Sequence, residues 1–114
     1  MKILNATKMT TIADEATAAK TFLSRLIGLT NRKSLEAGEA LIISPCRSIH
    51  MFFMRFAIDA IFVGKDNHVV GLVRHLKPFR VSPIFFRASF VIEVLSGTID
   101  SSQTAMNDAI ELVS

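Results

Sequence analysis

Three polar side chains in the middle of the chain are the first candidates for chemistry. His50, Arg55 and Asp59 lie close together in IHMFFMRFAIDAIFV, the most apolar stretch of the sequence. A histidine and a carboxylate beside a cation are residue types that general acid–base catalysis uses. The spacing therefore permits a small enzyme built around these three residues. It is equally compatible with an ordinary charged surface, so both interpretations are kept.

The apolar pattern in residues 51–63 predicts a strand. The even positions are all apolar: Phe52, Met54, Phe56, Ile58, Ala60 and Phe62. Arg55 and Asp59 fall on the other face, about 13 Å apart along an extended chain. They cannot pair directly unless the chain bends, whereas in a helix they would be neighbours. The strand predicts either the charged floor of a pocket or a solvent-exposed face.

Other reactive side chains give little support for catalysis or metal binding. Cys46 and His50 suggest a thiol nucleophile, but a lone cysteine is more often a small buried apolar residue. His50, His68 and His75 do not show the spacing of zinc ligands, and no CxxC or HExxH motif is present. The sequence therefore predicts no metal and no cofactor, and it favours a non-enzymatic protein.

Charge is distributed unevenly along the chain. The net charge is +3, with seven of the Lys and Arg residues in residues 47–87 and none in residues 88–114. A basic middle segment allows nucleic-acid binding. Against this, the cations are dispersed, and the chain has no Trp or Tyr on which bases could stack. Nucleic acid is therefore an unlikely partner, kept as the third alternative.

The segment KPFRVSPIFFR, residues 77–87, combines aromatic and basic side chains. Pro78 and Pro83 predict a loop, and this loop carries Phe79, Phe85 and Phe86 together with basic residues such as Arg80. Some of the rings are expected to cap the core. Any ring that stays exposed would form an apolar patch with a basic rim, as in protein interfaces. The loop from Phe79 to Phe86 is therefore a candidate site for a protein partner or for self-association.

Short strands dominate the predicted secondary structure. Strands are predicted in residues 2–13, 40–44, 51–63, 69–76, 90–95 and 109–113. Asp66 and Asn67 predict the turn of a hairpin, and residues 98–103 predict a helical turn. A chain of 114 residues fits one domain. The expected fold is a mainly β single domain over residues 1–114, a small barrel or sandwich with one or two short helices.

One longer helix is predicted in residues 16–27. Its apolar face is formed by Ala19, Phe22, Leu23, Leu26 and Ile27. Asp14, Glu15 and Thr17 suit its first turn, and Gly28 suits the position after its last turn.

Localisation is predicted from apolar runs and cysteine content. The first apolar run, Ile3 and Leu4, is too short for a signal peptide. The most apolar stretch contains Arg55 and Asp59 and is too short to span a membrane. With a single free thiol as well, the sequence predicts a cytoplasmic protein without a membrane span.

Several segments resemble the domain-of-unknown-function 192 family. They are GLTNRKSL preceded by Arg25, then SIHMFFMRFAIDAIFV, DNHVVGLVRHLKPFR, VIEVLSGTI and MNDAIEL, in the family's order and spacing. The resemblance covers about residues 20–112. It implies a compact, mainly β domain with a short helix near the start, and it implies no particular reaction. Its motif positions are Arg25, Gly28, Arg32, His50, Met54, Arg55, Asp59, Glu93 and Gly97.

The chain departs from the family pattern at several positions. Thr30, Ala57, Leu95, Ser96 and Asn107 replace the residues that are usual there. We expect these changes to loosen turns and to weaken any site that the family shares.

Combining motif and composition gives a set of candidate binding residues. The candidate ligand- or partner-binding residues are Arg25, His50, Arg55, Asp59, Arg80 and Glu93. An ion pair between Glu93 and an arginine at the helix end, Arg25 or Arg32, that only stabilises the fold is at least as compatible with the pattern. The leading hypothesis is a small binding or accessory domain. The alternatives are a small enzyme using His50, Arg55 and Asp59, and a weak nucleic-acid binder.

Overall fold

The described strands form an antiparallel sheet and a mixed sheet that pack face to face. The computed structural model describes residues 1–19, 35–52 and 54–114. The elements are β1 (Lys2–Asn5), β2 (Thr10–Ala13), β3 (Glu15–Ala19), β4 (Glu39–Ile43), β5 (Ile58–Gly64), β6 (Val69–Leu76), β7 (Ala88–Leu95), α1 (Thr98–Ser101) and β8 (Ile110–Val113). The smaller sheet has the order β2-β1-β8 and the larger β3-β4-β7-β5-β6. The sheets do not close into a barrel, so the predicted mainly β fold is confirmed in its sandwich form.

Two apolar clusters cover the two faces of the larger sheet. One lies between the sheets and includes Ile3, Ile12, Ile61, Ile92 and Val94. The other covers the opposite face, where loop residues pack on the sheet, and includes Leu35, Ile49, Met51, Phe62 and Val91. Strands β5 and β7 therefore contribute alternate side chains to two different cores, as expected for central strands covered on both faces.

The prediction of a helix in residues 16–27 is wrong for its first turn. Glu15–Ala19 is strand β3, paired in parallel with β4 from Glu15–Glu39 to Ala19–Ile43. Pairing with β4 gives the backbone N–H and C=O groups of this segment hydrogen-bond partners along its length, whereas capping side chains would satisfy only the groups at the end of a helix. Residues 20–27, with most of the predicted apolar face, lie outside the described part of the chain.

The predicted strand in residues 51–63 is too long at its start. Between residues 51 and 57, the described residues belong to no strand or helix, and the backbone N–H of Met54 donates to the Met51 carbonyl across a turn. The predicted solvent-exposed face of this strand is also wrong, because all of Ile58–Gly64 is buried. An alternating pattern cannot distinguish a polar face from a polar residue buried in a second core.

The remaining strand predictions are confirmed with small changes in their ends. Strands β5 and β6 form the predicted hairpin, and Asn67 in its turn has a φ of 63°. Strand β7 begins at Ala88, two residues earlier than predicted. The predicted helical turn is α1, and the last predicted strand is β8.

A buried polar cluster joins the chain ends. The Asp108 Oδ2 accepts hydrogen bonds from Asn5 Nδ2 at 2.9 Å, Lys8 Nζ at 2.8 Å and the Ala105 N–H at 2.9 Å. Burial by itself would raise the pKa of Asp108, but these hydrogen bonds and the Lys8 charge outweigh it and hold the pKa below its usual value. The ionised carboxylate therefore stabilises the junction between β1 and the segment before β8.

We expect Asp108→Asn to lower the free energy of unfolding at neutral pH by about 1–2 kcal/mol. Because the folded-state pKa is lowered, the charged carboxylate stabilises the fold above its unfolded-state pKa of about 3.9. That stabilisation is lost as pH falls through the folded-state pKa. Urea unfolding followed by circular dichroism across this range should show the two proteins converging at low pH. A pH-independent difference would contradict this account, and Asp100→Asn at an exposed ion pair is the control.

Candidate functional site

Asp59 is a buried structural acceptor. Its Oδ1 accepts the backbone N–H of His75 at 2.9 Å, and its Oδ2 accepts those of Gly97 at 3.0 Å and Ile99 at 2.9 Å. His75 lies in an irregular stretch of the β5–β6 ladder and has a φ of 50°. Gly97, with a φ of 100°, precedes α1. The Asp59 carboxylate on β5 thus binds both the irregular stretch of β6 and the start of α1.

The structure does not bring Asp59 together with the other two members of the proposed catalytic cluster. No hydrogen bond or ion pair joins Asp59 to His50 or Arg55 within the described ranges. Asp59 shares its strand face with Ile61, in the core between the sheets, whereas the neighbours of His50 in the chain pack in the opposite core. Arg55 is exposed to solvent. Within the described residues, the geometry therefore does not pair Asp59 with His50 for proton transfer.

Glu93 is buried on the other face of the larger sheet. It pairs with Leu41 of β4 and Ala60 of β5, and it is 0% exposed. Its strand neighbours Ile92 and Val94 lie in the core between the sheets, as the alternation predicts. Arg25 and Arg32, the two candidate partners of this carboxylate, lie outside the described residues, so the ion pair stays a prediction.

His50 belongs to an exposed group of apolar side chains. We call His50, Phe52, Phe79 and Val81 the aromatic surface. The ring centroid of Phe52 lies 5.2 Å from that of His50 and 6.5 Å from that of Phe79. The exposed fractions of Phe52, Phe79 and Val81 are 42%, 69% and 57%. A bridge between His50 and Val81 holds the two contributing segments together. Large apolar side chains grouped in this way are typical of interaction sites.

Exposed cations accompany the aromatic surface. Arg55 follows Phe52 closely in the chain, and Lys77 and Arg80 flank Phe79. All three are exposed, and within residues 1–19, 35–52 and 54–114 none of them forms an ion pair. Of the predicted site residues, His50 and Arg80 lie on two segments that backbone hydrogen bonds join, and Arg55 is exposed a few residues further along the chain. Asp59 and Glu93 are buried in the interior.

The three rings of the 77–87 loop have different environments. Phe85 packs on Phe62 of the core, with ring centroids 4.5 Å apart. Phe79 lies in the aromatic surface, and Phe86 is 74% exposed at the other end of the loop. The expectation that some rings cap the core is therefore met by Phe85, while Phe79 and Phe86 remain in solvent. The loop's role as an interaction site stays a prediction.

The other reactive groups show no catalytic or metal-binding arrangement in the described part of the chain. Cys46 is half-buried, and its thiol donates to the Ser48 carbonyl at 3.2 Å. His68 is exposed beside the hairpin turn, as expected from its position. No three His, Cys, Asp or Glu side chains there are grouped to hold a metal ion. Likewise, none of the helices described has the length and apolar character needed to cross a membrane.

A family model and known relatives match nearly the whole chain. The model of domain of unknown function 192 (DUF192), described as "Uncharacterized ACR, COG1430", matches residues 3–112. The chain belongs to the DUF192 family. It is 32% identical to the UPF0127 protein of Pyrococcus furiosus over 114 residues, covering 96% of both chains. It is 33% identical to the UPF0127 protein of Thermococcus sibiricus over 113 residues, covering 96% of this chain and 73% of the relative.

Solved structures show the same DUF192-like fold at low sequence identity. A protein of unknown function from Novosphingobium aromaticivorans superposes with a TM-score of 0.81 at 20% identity, covering 97% of this chain and 82% of that one. A Sinorhizobium meliloti protein whose description proposes a role in transcription regulation gives a TM-score of 0.77 at 18% identity, covering 96% and 89%. At these identities the likeness concerns the fold alone.

The DUF192 motif positions Asp59 and Gly97 are in direct contact, which gives them a structural role in this member of the family. The turn at Asn107 was expected to be loosened by the replacement of the usual residue. Asn107 has a φ of 69°, a left-handed conformation that asparagine tolerates better than most residues, so it suits this turn.

Sequence reasoning placed Asp59 and Glu93 in a binding site because it could not distinguish buried from exposed carboxylates. It missed Phe52 and Val81, whose exposure depends on the contact between two distant loops.

Proposed function

We propose that this small globular DUF192 protein is a non-catalytic binding module. Its aromatic surface would dock a segment of a partner protein that carries apolar anchor residues beside acidic ones. The exposed contact between Phe52 and Phe79, next to cations without ion pairs in the described chain, is the observation that carries this proposal. We also propose a cytoplasmic location, which the presence of a single cysteine, too few for a disulfide within the chain, supports.

The backbone holds Phe79 outward in a costly conformation. Its φ is 66°, an unusual value for a bulky residue. The Phe79 N–H donates to the Met51 carbonyl at 3.0 Å, and the Met51 N–H donates to the Arg80 carbonyl at 2.8 Å. These bonds fix the loop while the ring stays in solvent. Strain of this kind is typical of functional positions, and a ring ordered in advance loses less entropy on binding.

The charge around the aromatic surface favours an acidic partner. Arg55, Lys77 and Arg80 are exposed, and Asp59, the nearest acidic residue in sequence to Arg55, is buried behind its own hydrogen bonds. Charge complementarity steers association and selects partners, while buried aromatic anchors supply most of the affinity. An acidic segment with aromatic or aliphatic anchors satisfies both features. This chemistry commits the surface to a partner protein in preference to a second copy of the chain.

We expect the protein to bind a fluorescent synthetic peptide of alternating Asp and Phe residues in a saturable, salt-sensitive way. Fluorescence anisotropy should show that Phe79→Ala and Arg80→Glu each weaken binding by about tenfold or more. A peptide with Ser replacing Phe, and one with Lys replacing Asp, should both bind more weakly than the Asp–Phe peptide. Met9→Ser, which alters an exposed apolar residue in the β1–β2 turn, is the matched control and should bind normally.

Three results would overturn the proposal. The first is equal binding of acidic and basic peptides by the wild type, and the second is binding that Phe79→Ala and Arg80→Glu leave unchanged. The third comes from sedimentation equilibrium without peptide, if a dimer forms and Phe79→Ala abolishes it. The aromatic surface would then be a contact between copies of this chain.

A further inference from the structure

A second feature lies at the opposite end of the 77–87 loop and is independent of the aromatic surface. Residues 44–47 after β4, residues 64–66 at the β5–β6 turn and residues 86–89 at the start of β7 surround an open groove of about 1000 Å³. We call it the cationic groove, because Arg47, Lys65 and Arg87 line it. Pro45, Val70 and Phe86 contribute its apolar walls. Its size is at the upper end of the range for small-molecule sites.

Backbone hydrogen bonds fix the walls of the cationic groove. The Cys46 N–H donates to the Ser89 carbonyl at 3.1 Å, and the Phe85 N–H donates to the Arg47 carbonyl at 2.8 Å. Gly64 pairs with Ala88 in the β5–β7 ladder. Three segments that are distant in sequence are thus held together by the sheet, so the groove exists before any ligand arrives. A preformed site loses little conformational entropy on binding.

The cationic groove keeps a net positive charge, because three cations and one carboxylate line it. Asp66 is its one acidic lining residue, and its Oδ1 accepts the His68 N–H at 3.2 Å, while its Oδ2 lies 3.6 Å from the His68 ring. In the parts of the chain that the structure describes, Arg47, Lys65 and Arg87 form no ion pair. Three cations around one concavity attract a multiply charged anion, and arginine is suited to two-point contacts with phosphate.

We propose that the cationic groove binds a small phosphorylated compound that carries a planar ring, the class to which mononucleotides belong. The phosphate lies among Arg47, Lys65 and Arg87, and the ring packs on Phe86. The 74% exposure of Phe86 in the free protein leaves a face available for stacking. This site goes beyond the proposed docking of a partner on the aromatic surface, and either can fail without the other.

The test uses adenosine 5′-monophosphate as the probe, with binding followed by ¹H–¹⁵N NMR on the full chain. We expect saturable shifts at the backbone amides of Lys65 and Ala88. Ribose 5-phosphate, which lacks the ring, and adenosine, which lacks the phosphate, should each bind about tenfold more weakly. Arg47→Gln and Arg87→Gln should each weaken the nucleotide about tenfold, and Phe86→Ser should weaken it while leaving ribose 5-phosphate binding unchanged.

Lys2→Gln is the matched control, because it removes an exposed cation on β1 in the other sheet. It should leave nucleotide binding unchanged. The proposal is overturned if no saturable shift occurs up to about 10 mM nucleotide, or if adenosine binds as tightly as its monophosphate. Equal affinity of Arg87→Gln and wild type also overturns it. Tight binding of single-stranded oligonucleotides without binding of the mononucleotide would replace it with a nucleic-acid site.

Discussion

Asp59→Ala should lower the free energy of unfolding by about 3–5 kcal/mol. The substitution removes the carboxylate oxygens that accept three backbone N–H groups, those of His75, Gly97 and Ile99. Each buried donor left without an acceptor is destabilising by about 1–3 kcal/mol, less whatever water can recover. The loss would fall on the irregular end of β6 and on the start of α1, whose N-cap residue, Gly97, has no side chain to cap the helix.

Urea unfolding measured by far-ultraviolet circular dichroism checks this result, since the chain has no Trp or Tyr for fluorescence. Asp59→Asn keeps one acceptor oxygen but turns an N–H donor toward the remaining donors, so we expect a smaller loss of about 2–3 kcal/mol. Asp66→Ala is the matched control, because this carboxylate is exposed and accepts a single backbone N–H, that of His68. We expect it to lower stability by less than about 1 kcal/mol.

A loss below about 1 kcal/mol for Asp59→Ala would show that Asp59 is not a structural acceptor. It would also restore the enzyme hypothesis, which needs an Asp59 carboxylate able to exchange a proton. A large loss, together with shifts of the Gly97 and Ile99 amide signals in the Asp59→Asn protein, would assign the family motif around Asp59 to the stability of the fold.

Local patterns predicted the fold wherever a few neighbouring residues determine the structure. Asp66 and Asn67 predicted the hairpin turn because short polar side chains and a left-handed φ are properties of one or two residues. The residues of the predicted strand 90–95 alternate in the structure, with Phe90, Ile92 and Val94 on one face and Glu93 on the other. The side-chain face therefore follows from the sequence for elements with a clear period of two.

Predictions failed where long-range contacts determine the structure. Residues 16–19 suit the start of a helix locally, but β4 pairs with them as β3. Asp59 resembles a solvent-exposed charge until its donors, at residues 75, 97 and 99, fold against it. The candidate site was mixed for the same reason. Nothing local to IHMFFMRFAIDAIFV separates the exposed Arg55 from the buried Asp59.

Which of the three phenylalanines of the 77–87 loop is buried also depends on residues distant in sequence. The sequence contained one indication of the answer. Gly71 interrupts an otherwise apolar strand pattern, and a lone glycine in a strand indicates the close approach of another group. In the structure that group is the ring of Phe85, which covers Gly71 and packs on Phe62 opposite it in the ladder. The absence of a Cβ at Gly71 therefore leaves the space in which Phe85 caps the core, while Phe79 and Phe86 lie outside it.

Gly71→Ala should lower the free energy of unfolding by about 2–3 kcal/mol. A Cβ at this position would overlap the Phe85 ring, so the ring must leave its place on Phe62. The Phe85 N–H bonds the Arg47 carbonyl, so displacement of the ring should also reach a wall of the cationic groove. Urea unfolding gives the stability. Amide shifts at Phe85 and Ala88 in ¹H–¹⁵N NMR report the displacement.

A double-mutant cycle with Phe85→Ala separates this overlap from a general intolerance of side chains in β6. Phe85→Ala alone should lower stability by about 2–3 kcal/mol, because it uncovers Phe62. Once the ring is gone, Gly71→Ala has no clash and gains the higher strand tendency of a residue with a Cβ. The two losses should therefore be less than additive by at least about 1 kcal/mol. Additive losses would mean that Phe85 does not rest on Gly71 in solution, and the choice of Phe85 as the buried ring would need another cause.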